Sequence, residues 1–536
     1  MTPDPVAGRP APDLPAPELP APDLASFLRL CEERGELVRV REPVDPCLEI
    51  TELADRFVKA GEQPALLFEN PAPGRWSAAA GGGRPAARTA DGRPVPVVIN
   101  LFASERRLAW ALGAHSLAEV VARVEEPLRL GPPEGLWEKI RLLGKLKEWG
   151  DAAPRTVGRG PCQDVVVQGA ELDRRGLLDL MPVLTTWPRD GGPYITTPLV
   201  ITRSPETGRR NIGMYRLQVF DGRTTGMHWQ VHKTGAAHYA GYEKRGERMP
   251  VCVAIGGPPV LTYAATAPLP PDIDEALFAG FLTGRPVKMV KALTCDLEVP
   301  AEADFVLEGY VDPGERRLEG DFGDHTGWYS LAEEFPVFHV TCITSRRDPH
   351  YLTTIVGRPP MEDGWLGRAT ERLFLPLLRV PLPEIVDYHL PVAACFHNLV
   401  IVAIRKAYPG HARKVCQALW GTGQIMFTKN VIVVDADVNV HDLDEVLWRV
   451  TGSLDPARDV FFSEGPVDQL DHATNLPCYG GKLGIDATTK LPGEYGYQRQ
   501  WPELVTMDPA VKADVDAKWA ALLARLGGRG GGGGRP

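Results

Sequence analysis

Residues 211–221 have the sequence Asn-Ile-Gly-Met-Tyr-Arg-Leu-Gln-Val-Phe-Asp, and this stretch decides the fold of the middle of the chain. It is rich in apolar and β-branched residues, and Asp221-Gly222 is a turn signal before a second such run at 224–231. Closely spaced strands of this kind predict an antiparallel barrel or sandwich for residues 156–345. Further strands are predicted at 165–167, 195–202 and 251–255, and one helix at 277–282, ended by Gly284.

Helix and strand patterns alternate on both sides of this region. Apolar residues at helical spacing predict helices at 24–31, with Asp23 as N-cap, and at 50–58, and short buried strands are predicted at 65–68 and 95–99. After residue 346, helices at 412–420 and 443–451 accompany a buried strand at 431–434. We expect a multidomain protein of the α+β or α/β class. Its predicted parts are a disordered Pro/Ala-rich arm (1–23), an N-terminal α/β domain (24–155), the central β domain (156–345), a C-terminal α/β domain (346–523) and a Gly-rich tail (524–536).

Composition narrows the class of protein. The 536 residues carry a net charge of −10, which disfavours a nucleic-acid or anionic membrane surface. No run approaches the roughly 20 apolar residues of a membrane span, and residues 1–22 lack a secretory signal pattern. The nine cysteines are scattered without a Cys-x-x-Cys pair, so we expect isolated buried thiols in a cytoplasmic protein.

Arg216 stands among apolar residues in the 211–221 stretch. A guanidinium there is costly unless it meets an anion such as a substrate carboxylate or a flavin phosphate; the alternative is an edge-strand ion pair at the surface. Asn211 and Arg216 are an odd number of residues apart, which puts them on opposite faces of an ideal strand. If both serve one site, we expect a bulge at Gly213 or a strand that begins after Asn211.

Residues 319–327, Glu-Gly-Asp-Phe-Gly-Asp-His-Thr-Gly, concentrate three carboxylates and one histidine. Crowded carboxylates repel each other, so we expect at least one of them to hold a proton near neutral pH. A decarboxylase needs such an acid, because the carbon left by CO2 must be protonated. An acidic surface turn or a calcium loop is the alternative.

Two further segments carry candidate ligands. Asp272 and Glu275 match a capping box, and the alternative is that Glu275 binds a hard cation such as Mg2+ or Mn2+ together with Asn211. In the segment from His228 to Lys233, two histidines four apart suggest zinc, but the neighbours predict a strand and the motif's glutamate is absent. Trp229 can stack on a flat ring there, and Lys233 can face a phosphate.

Together these segments resemble the UbiD family of prenylated-flavin-dependent decarboxylases, over about residues 24–523. The HWQVHK segment from His228 and the GRPPMEDGWLGRATERLFLPLL segment from Gly357 look most like menaquinone biosynthesis decarboxylases, with ubiquinone-pathway enzymes next. The other matching motifs are NIGMYRLQVFD from Asn211, EGDFGDHTG from Glu319, EIVDYHLP from Glu384, FTKNVIVVDADVN from Phe427 and GGKLGIDATTK from Gly480.

The resemblance implies a central flavin-reductase-like split β-barrel and a C-terminal domain used to form a homo-oligomer, a dimer or hexamer. It implies prenylated FMN, supplied by a flavin prenyltransferase, with Mn2+ or Mg2+ and often K+ at its phosphate. Asn211 and Glu275 match the family's metal ligands, and Arg216, Glu319 and Asp324 match its catalytic set. Cofactor contacts are implied for Met214, Tyr215, Arg216, His228, Trp229, Gln230, Lys233, Thr234 and Lys429.

This chain departs from the family at two positions. Thr234 stands where some members have a metal-ligating histidine, so water or backbone would complete the metal shell. Asp321 stands where proline is usual, and it either raises the pKa of neighbouring carboxylates or faces solvent.

The implied reaction is decarboxylation of a hydroxynaphthoic or prenylated hydroxybenzoic acid in menaquinone or ubiquinone biosynthesis. A prenylated substrate would allow peripheral membrane contact. Arg216 and Glu319 would polarise the cofactor, and Glu319 or Asp324 would deliver the proton. Two alternatives stay open: a split-barrel flavin oxidoreductase, although no Gly-x-Gly-x-x-Gly follows a predicted strand, and a metal hydrolase built on His228, His232 and His238.

Overall fold

The computed structural model describes residues 19–61, 63–79, 85–128, 150–270 and 273–530, with the backbone alone for 523–530. Most of the predicted arm, 1–18, and residues 531–536 of the predicted tail lie outside the described residues. The described chain is a mixed α/β multidomain protein with one large antiparallel sheet, smaller mixed sheets of four, three and five strands, and two two-stranded sheets. None of its described helices has the length and apolar composition needed to cross a membrane.

The N-terminal part alternates helices and strands as predicted. Its first helix begins at Leu24 because the Asp23 carboxylate accepts the backbone N–H of Ser26 at 2.8 Å, which confirms the predicted N-cap. Phe27, Leu28 and Cys31 form the buried face of this helix. The elements are α1 Leu24–Glu33, β1 Leu37–Val40, α2 Glu49–Lys59, β2 Ala65–Phe68, α3 Arg75–Ala79, β3 Val97–Ile99, α4 Glu105–Ala111 and α5 Leu117–Leu128.

The middle of the chain forms the large sheet, with predominantly short connections, as its sequence predicted. The helices of this middle part are α6 Ala170–Arg174, α7 Leu177–Leu180, α8 Thr234–Arg245, α9 Pro259–Ala264 and α10 Glu275–Thr283. Its strands are β4 Arg155–Val157, β5 Val165–Gln168, β6 Tyr194–Ile195, β7 Leu199–Arg203, β8 Arg210–Met214, β9 Leu217–Gln218, β10 Thr224–Gly226, β11 Met249–Ile255, β12 Lys288–Lys291, β13 Glu298–Pro300, β14 Phe305–Glu319, β15 Phe322–Gly323, β16 Tyr329–Ser330 and β17 Glu333–Ser345.

The large sheet is antiparallel and open in the described residues. Its strand order is β10-β17-β14-β11-β7-β8, and β5 also pairs with β17. The 15-residue strand β14 shifts register twice against β17, after Glu308 and after Val311. Bulges of this kind bend a sheet and increase its twist. Strand β14 thereby runs from the core of the sheet to Glu319, which ends it.

Two strands of this sheet are shorter than predicted. Strand β8 ends at Met214, which is its last residue paired with β7 and whose backbone N–H donates to Ala265 O at 3.2 Å. The Tyr215 side chain then folds back over Gly213, where an added Cβ would collide with the tyrosine hydroxyl. Arg216 therefore lies in a break between β8 and β9, and β7–β8 pairing needs no bulge at Gly213. The predicted strand at 224–231 ends at Gly226.

The C-terminal part is a five-stranded sheet with the order β19-β20-β21-β23-β22. The predicted buried strand at 431–434 is its central strand, and both predicted helices are present. The elements are β18 Tyr351–Leu352, α11 Asp363–Leu378, β19 Ile385–His389, β20 Leu399–Ile404, α12 His411–Trp420, β21 Asn430–Asp435, α13 Leu443–Ser453, α14 Pro456–Asp459, β22 Val460–Pro466, β23 Tyr479–Asp486 and α15 Pro509–Gly530.

Helix α15 continues past residue 524, where the structureless tail was predicted to begin. Alanine and leucine dominate residues 519–525, and both favour helix propagation over the glycines that follow. The tail therefore begins later than its composition predicted.

The chain returns to the N-terminal sheet before it enters the C-terminal one. Strand β18 pairs in parallel with β3, Tyr351 opposite Val97, and α11 packs against α5. One hydrophobic core therefore runs through the N-terminal and middle parts, while the C-terminal sheet has two cores of its own. These contacts attach the chain that follows the large sheet to the N-terminal part.

Asp23 joins these two parts, and removing it tests the connection. Besides capping α1, its carboxylate pairs with Arg346, just after β17, at 2.9 Å. We expect Asp23→Ala to lower the free energy of unfolding by about 1–3 kcal/mol, since the cap and the ion pair are both lost. Asp23→Asn keeps the acceptor for Ser26 and should lose less. Chemical denaturation measures both variants, and equal losses would mean that the cap contributes nothing.

Candidate active site

Arg216 is the centre of a buried charge cluster. Its side chain is 9% exposed, and its Nε donates to Glu319 Oε1 at 2.9 Å. Its Nη1 donates to Asp324 Oδ2 and its Nη2 to Ser330 Oγ at 3.0 Å. The guanidinium also lies 4.6 Å from the centroid of the Phe322 ring. The structure thus brings together all three residues that the sequence marked as catalytic.

Backbone contacts hold the two carboxylates around Arg216. Glu319 is the last residue of β14, and Asp324 follows the short strand β15. Between them, Gln218 accepts the N–H of Gly320 at 2.8 Å and donates to Gly191 O at 2.6 Å. A Cβ on Gly320 would lie 2.6 Å from Gly191 Cα, so only glycine permits this approach. The turn is fixed by contacts on both sides.

The pKa values of Glu319 and Asp324 are both lowered, so neither of these two is the carboxylate that was predicted to hold a proton near neutral pH. Burial raises the pKa of Glu319, but Arg216 and the hydrogen bond from His228 outweigh burial and lower it. Burial likewise raises the pKa of Asp324, and Arg216 and His325 bring it well below its usual range. The repulsion between the carboxylates is cancelled because one cation binds both.

His228 donates from Nδ1 to Glu319 Oε1 at 2.9 Å and packs 4.2 Å from the Phe335 ring. Burial and the charge of Arg216 lower the pKa of His228, so this imidazole is neutral. His232 is exposed and lies 5.3 Å from the ring of Phe427. Among the described residues, neither group of side chains placed to hold a metal ion contains His228, His232 or His238, which leaves the zinc alternative without a site.

A second histidine pair, not predicted from the sequence, extends the cluster. His325 Nδ1 donates to Asp324 Oδ1 at 2.8 Å, and His325 Nε2 lies 2.7 Å from His397 Nε2. Burial alone would lower the pKa of His325, but Asp324 raises it to about 9. Burial and the charge of His325 lower the pKa of His397 to about 4. The shared proton therefore belongs to His325, and no sequence spacing points to His397, which follows helix α11 and strand β19.

Asp321 has a cationic partner of its own. Its carboxylate pairs with Arg189 at 2.8 Å and is partly exposed. The backbone carbonyl of Asp321 accepts the N–H of Gly191 at 2.8 Å. The charge of the Asp321 carboxylate is therefore neutralised by Arg189, whose side chain is exposed.

Asn211 and Glu275 form a second group. Glu275 begins α10, and its Oε2 accepts the backbone N–H of Ile212 at 2.8 Å, which puts the carboxylate next to the buried side chain of Asn211. Asp272 lies outside the described residues, and Asp274 caps this helix by accepting from Ala276 and Leu277. Glu275 is therefore the first helical residue and not the third residue of a capping box.

The Asn211–Glu275 group fits a hard cation. Burial raises the pKa of Glu275 to about 7, and the nearby Arg210 binds Asp274 at 2.8 Å instead. The side-chain amide of Asn211 is buried, and its Oδ1 is the atom that can bind a cation, while its Nδ2 is a hydrogen-bond donor without a partner. An oxygen-rich group with an unneutralised carboxylate suits Mg2+ or Mn2+.

Two aromatic side chains fill the space beside this group. The backbone N–H of Gly235, near the start of α8, donates to the Tyr215 hydroxyl at 3.3 Å. Trp229 is buried, and its Nε1 has no partner. A Cβ on Gly235 would lie 2.7 Å from Trp229 Nε1, so the helix approaches both rings closely. Thr234 is the first residue of that helix.

The remaining candidates lie around the edge. Met214 and Gln230 are half-buried, at the end of β8 and before α8. Lys233 Nζ donates to Gln424 Oε1 at 3.2 Å, and burial lowers the pKa of Lys233. Lys429 forms an ion pair with Asp471 in the C-terminal part. The structure records no contact between Lys429 and the Arg216 cluster.

Several buried polar atoms of these residues lack a partner. A buried polar group normally has a hydrogen bond, so an unpaired atom at this site is available to a ligand or a water. Three of the residues with unpaired atoms are neighbours, because His228 bonds Glu319 and Trp229 follows His228 in the chain. A polar, flat ligand such as a flavin therefore fits the residues present. The unpaired atoms are Asn211 Nδ2, His228 Nε2, Trp229 Nε1 and Glu319 Oε2.

Comparison with known families agrees with this site. Three domain models of 3-octaprenyl-4-hydroxybenzoate carboxy-lyase match the chain: the N-terminal domain at 28–124, the Rift-related domain at 155–359 and the C-terminal domain at 364–487. The fold and these matches define a carboxy-lyase. The chain belongs to the UbiD family.

Relatives match nearly the whole chain. An uncharacterised protein of Archaeoglobus fulgidus is 50% identical over 498 residues, 92% of this chain and 97% of the relative. An uncharacterised protein of Aquifex aeolicus is 49% identical over 501 residues, 93% of this chain and 98% of the relative.

Solved decarboxylases have the same fold. The closed form of vanillic acid decarboxylase from Sedimentibacter hydroxybenzoicus is 28% identical, with a TM-score of 0.78 over 94% of this chain and 98% of that one. Its open form gives 0.71, so this chain is more similar to the closed arrangement. The UbiD-class enzyme HmfF from Pelotomaculum thermopropionicum, in complex with FMN, is 28% identical, with a TM-score of 0.70 over 91% of this chain and 99% of that one.

Removing the shared cation should destabilise the protein more than removing the whole charge cluster. Arg216→Met leaves Glu319 and Asp324 buried beside each other, and we expect a loss of about 3–5 kcal/mol at neutral pH. A triple variant that adds Glu319→Gln and Asp324→Asn should recover much of the loss, because no buried carboxylate is left without a cation and His325, once Asp324 is gone, can lose its proton. Chemical denaturation at pH 7 compares the two variants. A single variant as stable as the wild type would contradict the shared-cation account.

The charge on His325 should appear in the pH dependence of stability. Its folded-state pKa is raised, so its contribution is complete below an unfolded pKa of about 6.5 and is lost as the pH rises through about 9. The difference in melting temperature between the wild type and His325→Gln should therefore shrink from pH 6.5 to pH 10. A difference that stays constant over this range would show that His325 is neutral.

Proposed function

We propose that this chain is a prenylated-FMN-dependent decarboxylase of an aromatic acid, either a hydroxynaphthoic acid or a prenylated hydroxybenzoic acid of menaquinone or ubiquinone biosynthesis. The observation that carries the proposal is the Arg216 cluster with Glu319 and Asp324, buried beside unpaired polar atoms. Structures of HmfF in complex with FMN and, as an evolved dimeric form, with prenylated FMN support it.

We assign the cofactor and metal to the two groups of site residues. Asn211 and Glu275 would hold Mn2+ or Mg2+, with K+ beside it, at the cofactor phosphate, and Lys233 would add a positive charge. The backbone or water would complete the metal shell, because Thr234 is no imidazole. Lys429 is assigned a more distant electrostatic role, since Asp471 holds its ammonium. The ring contacts assigned are Met214, Tyr215, Arg216, His228, Trp229 and Gln230.

Within the site, the side chains divide the work. Prenylated FMN, when bound, supplies the electron sink that takes up the electron pair of the breaking bond to CO2. Arg216 fixes the positions of Glu319 and Asp324 and keeps both ionised. His228 holds Oε1 of Glu319 through Nδ1, which leaves Oε2 free for the reacting groups.

The hydrogen bonds favour Asp324 as the route of the proton. After CO2 leaves, the substrate carbon needs one proton, and neither carboxylate carries one at rest. His325 is an imidazolium whose Nδ1–H lies 2.8 Å from Asp324 Oδ1. A proton passed from His325 to Asp324 makes that carboxyl an acid, which then donates to carbon. Glu319 is bonded only to a neutral histidine and to Arg216, so it has no comparable donor.

The proposal extends to the assembly and location of the protein. We assign the open seven-stranded sheet, with its bent strand β14, to a flavin-reductase-like split barrel. Large apolar side chains are exposed on the C-terminal part at Leu447, Trp448 and Phe462, which supports a homo-oligomer, a dimer or hexamer. We further propose a cytoplasmic enzyme whose cofactor comes from a flavin prenyltransferase, with no nucleic-acid partner.

The assignment of the two carboxylates is tested by isosteric variants. After co-expression with a flavin prenyltransferase, Glu319→Gln and Asp324→Asn should each reduce turnover by about 100-fold or more while flavin absorbance of the purified protein persists. The matched control is Asp321→Asn, a carboxylate of the same turn that pairs with Arg189 and should keep its activity. Product formation from hydroxynaphthoic and prenylated hydroxybenzoic acids is measured by chromatography. Near wild-type rates in both variants would contradict the assignment.

A further inference from the structure

Two of the nine cysteines are not isolated, contrary to the prediction from their scattered positions. Cys252 lies in β11 and is fully buried, and Cys295 lies in the turn between β12 and β13 and is partly exposed. Their sulfur atoms are 3.2 Å apart. All nine cysteines fall in the described residues, and none forms a disulfide.

A buried carboxylate holds the turn of Cys295 over β11. Glu308 is directly opposite Cys252 in the pairing of β11 with β14. Its Oε1 accepts the N–H of Leu293 at 2.9 Å, and its Oε2 accepts the N–H and the hydroxyl of Thr294 at 2.6 and 2.8 Å. Glu308 is 1% exposed, so these bonds are costly to lose. The contact between the two sulfurs therefore follows from a fixed anchor and not from an accidental loop position.

From this geometry we infer that Cys252 and Cys295 are an oxidisable dithiol that forms a reversible disulfide within the chain. A disulfide needs a sulfur–sulfur distance of about 2.05 Å, so closure requires a movement of only about 1 Å. The turn around Cys295 has exposed neighbours, Leu293 at 49% and Asp296 with an exposed side chain, and it can supply this movement. The oxidant that we name is a small disulfide such as oxidised glutathione.

The exchange proceeds in two balanced steps. The thiolate of Cys295, the exposed partner, attacks one sulfur of the oxidant, which forms a mixed disulfide and releases one glutathione thiolate. The thiolate of Cys252 then attacks the sulfur of Cys295 and releases the second glutathione. Two protein thiols are oxidised, one glutathione disulfide is reduced to two thiols, and the protons leave Cys295 and Cys252. Burial raises the pKa of Cys252, so the second step is expected to be the slower one.

The disulfide would close a loop that carries a candidate ligand. The segment between the two cysteines contains α9 and α10, and Glu275 begins α10. A cross-link between its ends restricts the unfolded chain, which stabilises the folded state. Oxidation would thus strengthen the attachment of this segment to the large sheet, and a thiol reductant would reverse the effect.

The test uses the full-length holoenzyme after incubation with oxidised glutathione or with dithiothreitol. We expect the titratable thiols of the denatured protein to fall from nine by two, a non-reduced peptide that links Cys252 to Cys295, and a melting temperature higher by about 3 °C that dithiothreitol reverses. Cys295→Ser, at an exposed turn that tolerates substitution, should show neither the linked peptide nor the shift. Cys342→Ser, which removes the buried thiol on the other side of Glu308, should show both.

Two outcomes would overturn the inference. One is nine titratable thiols after oxidation of a folded wild-type protein. The other is a stable glutathione adduct on Cys295 with Cys252 still reduced, which would mean that the buried sulfur cannot complete the exchange. A linked peptide that persists in Cys342→Ser and is absent from Cys295→Ser supports it.

Discussion

The site depends on one guanidinium that two buried carboxylates share. Glu319 and Asp324 are each nearly inaccessible to water, and a carboxylate in such a position needs a cation and further hydrogen bonds. Arg216 meets both because its planar fork donates in several directions at once. It reaches them because the chain leaves β8 after Met214, which places the buried guanidinium between β8 and β9. The break in the strand and the ion cluster are therefore one feature of the fold.

Around this centre, each carboxylate has a different second partner. His228, beside Glu319, is neutral, and His325 is cationic because Asp324 raises its pKa to about 9. The two carboxylates therefore differ in their access to a proton. Glu319 can remain an anion that stabilises charge, while Asp324 can receive a proton from His325 and act as an acid. The reaction class is that of the UbiD family. That the proton passes from His325 through Asp324 to the substrate carbon is our proposal for this chain.

The sequence predicted the elements and the principal site residues because both depend on local patterns. Asp23, the buried strand around Val433 and the Glu319 motif are recognisable from a few neighbours each. The errors come from contacts between distant segments. The hydrogen bond from Met214 to Ala265 lies where β8 ends early, Arg216 cancels the repulsion expected between two carboxylates, and Cys252 meets Cys295 through an anchor on a third strand. His397 lies in the C-terminal part of the chain, and no sequence motif around it indicates its role.

We expect this chain to build a decarboxylase site for prenylated FMN and a divalent metal. Mass spectrometry of the small molecules released from the protein, after co-expression with a flavin prenyltransferase, tests it most directly, together with elemental analysis of the same sample. The account predicts prenylated FMN with about one equivalent of Mn2+ or Mg2+, and loss of the metal in Glu275→Gln. Folded protein without flavin, or with ordinary FMN that turns over with a nicotinamide, would contradict it.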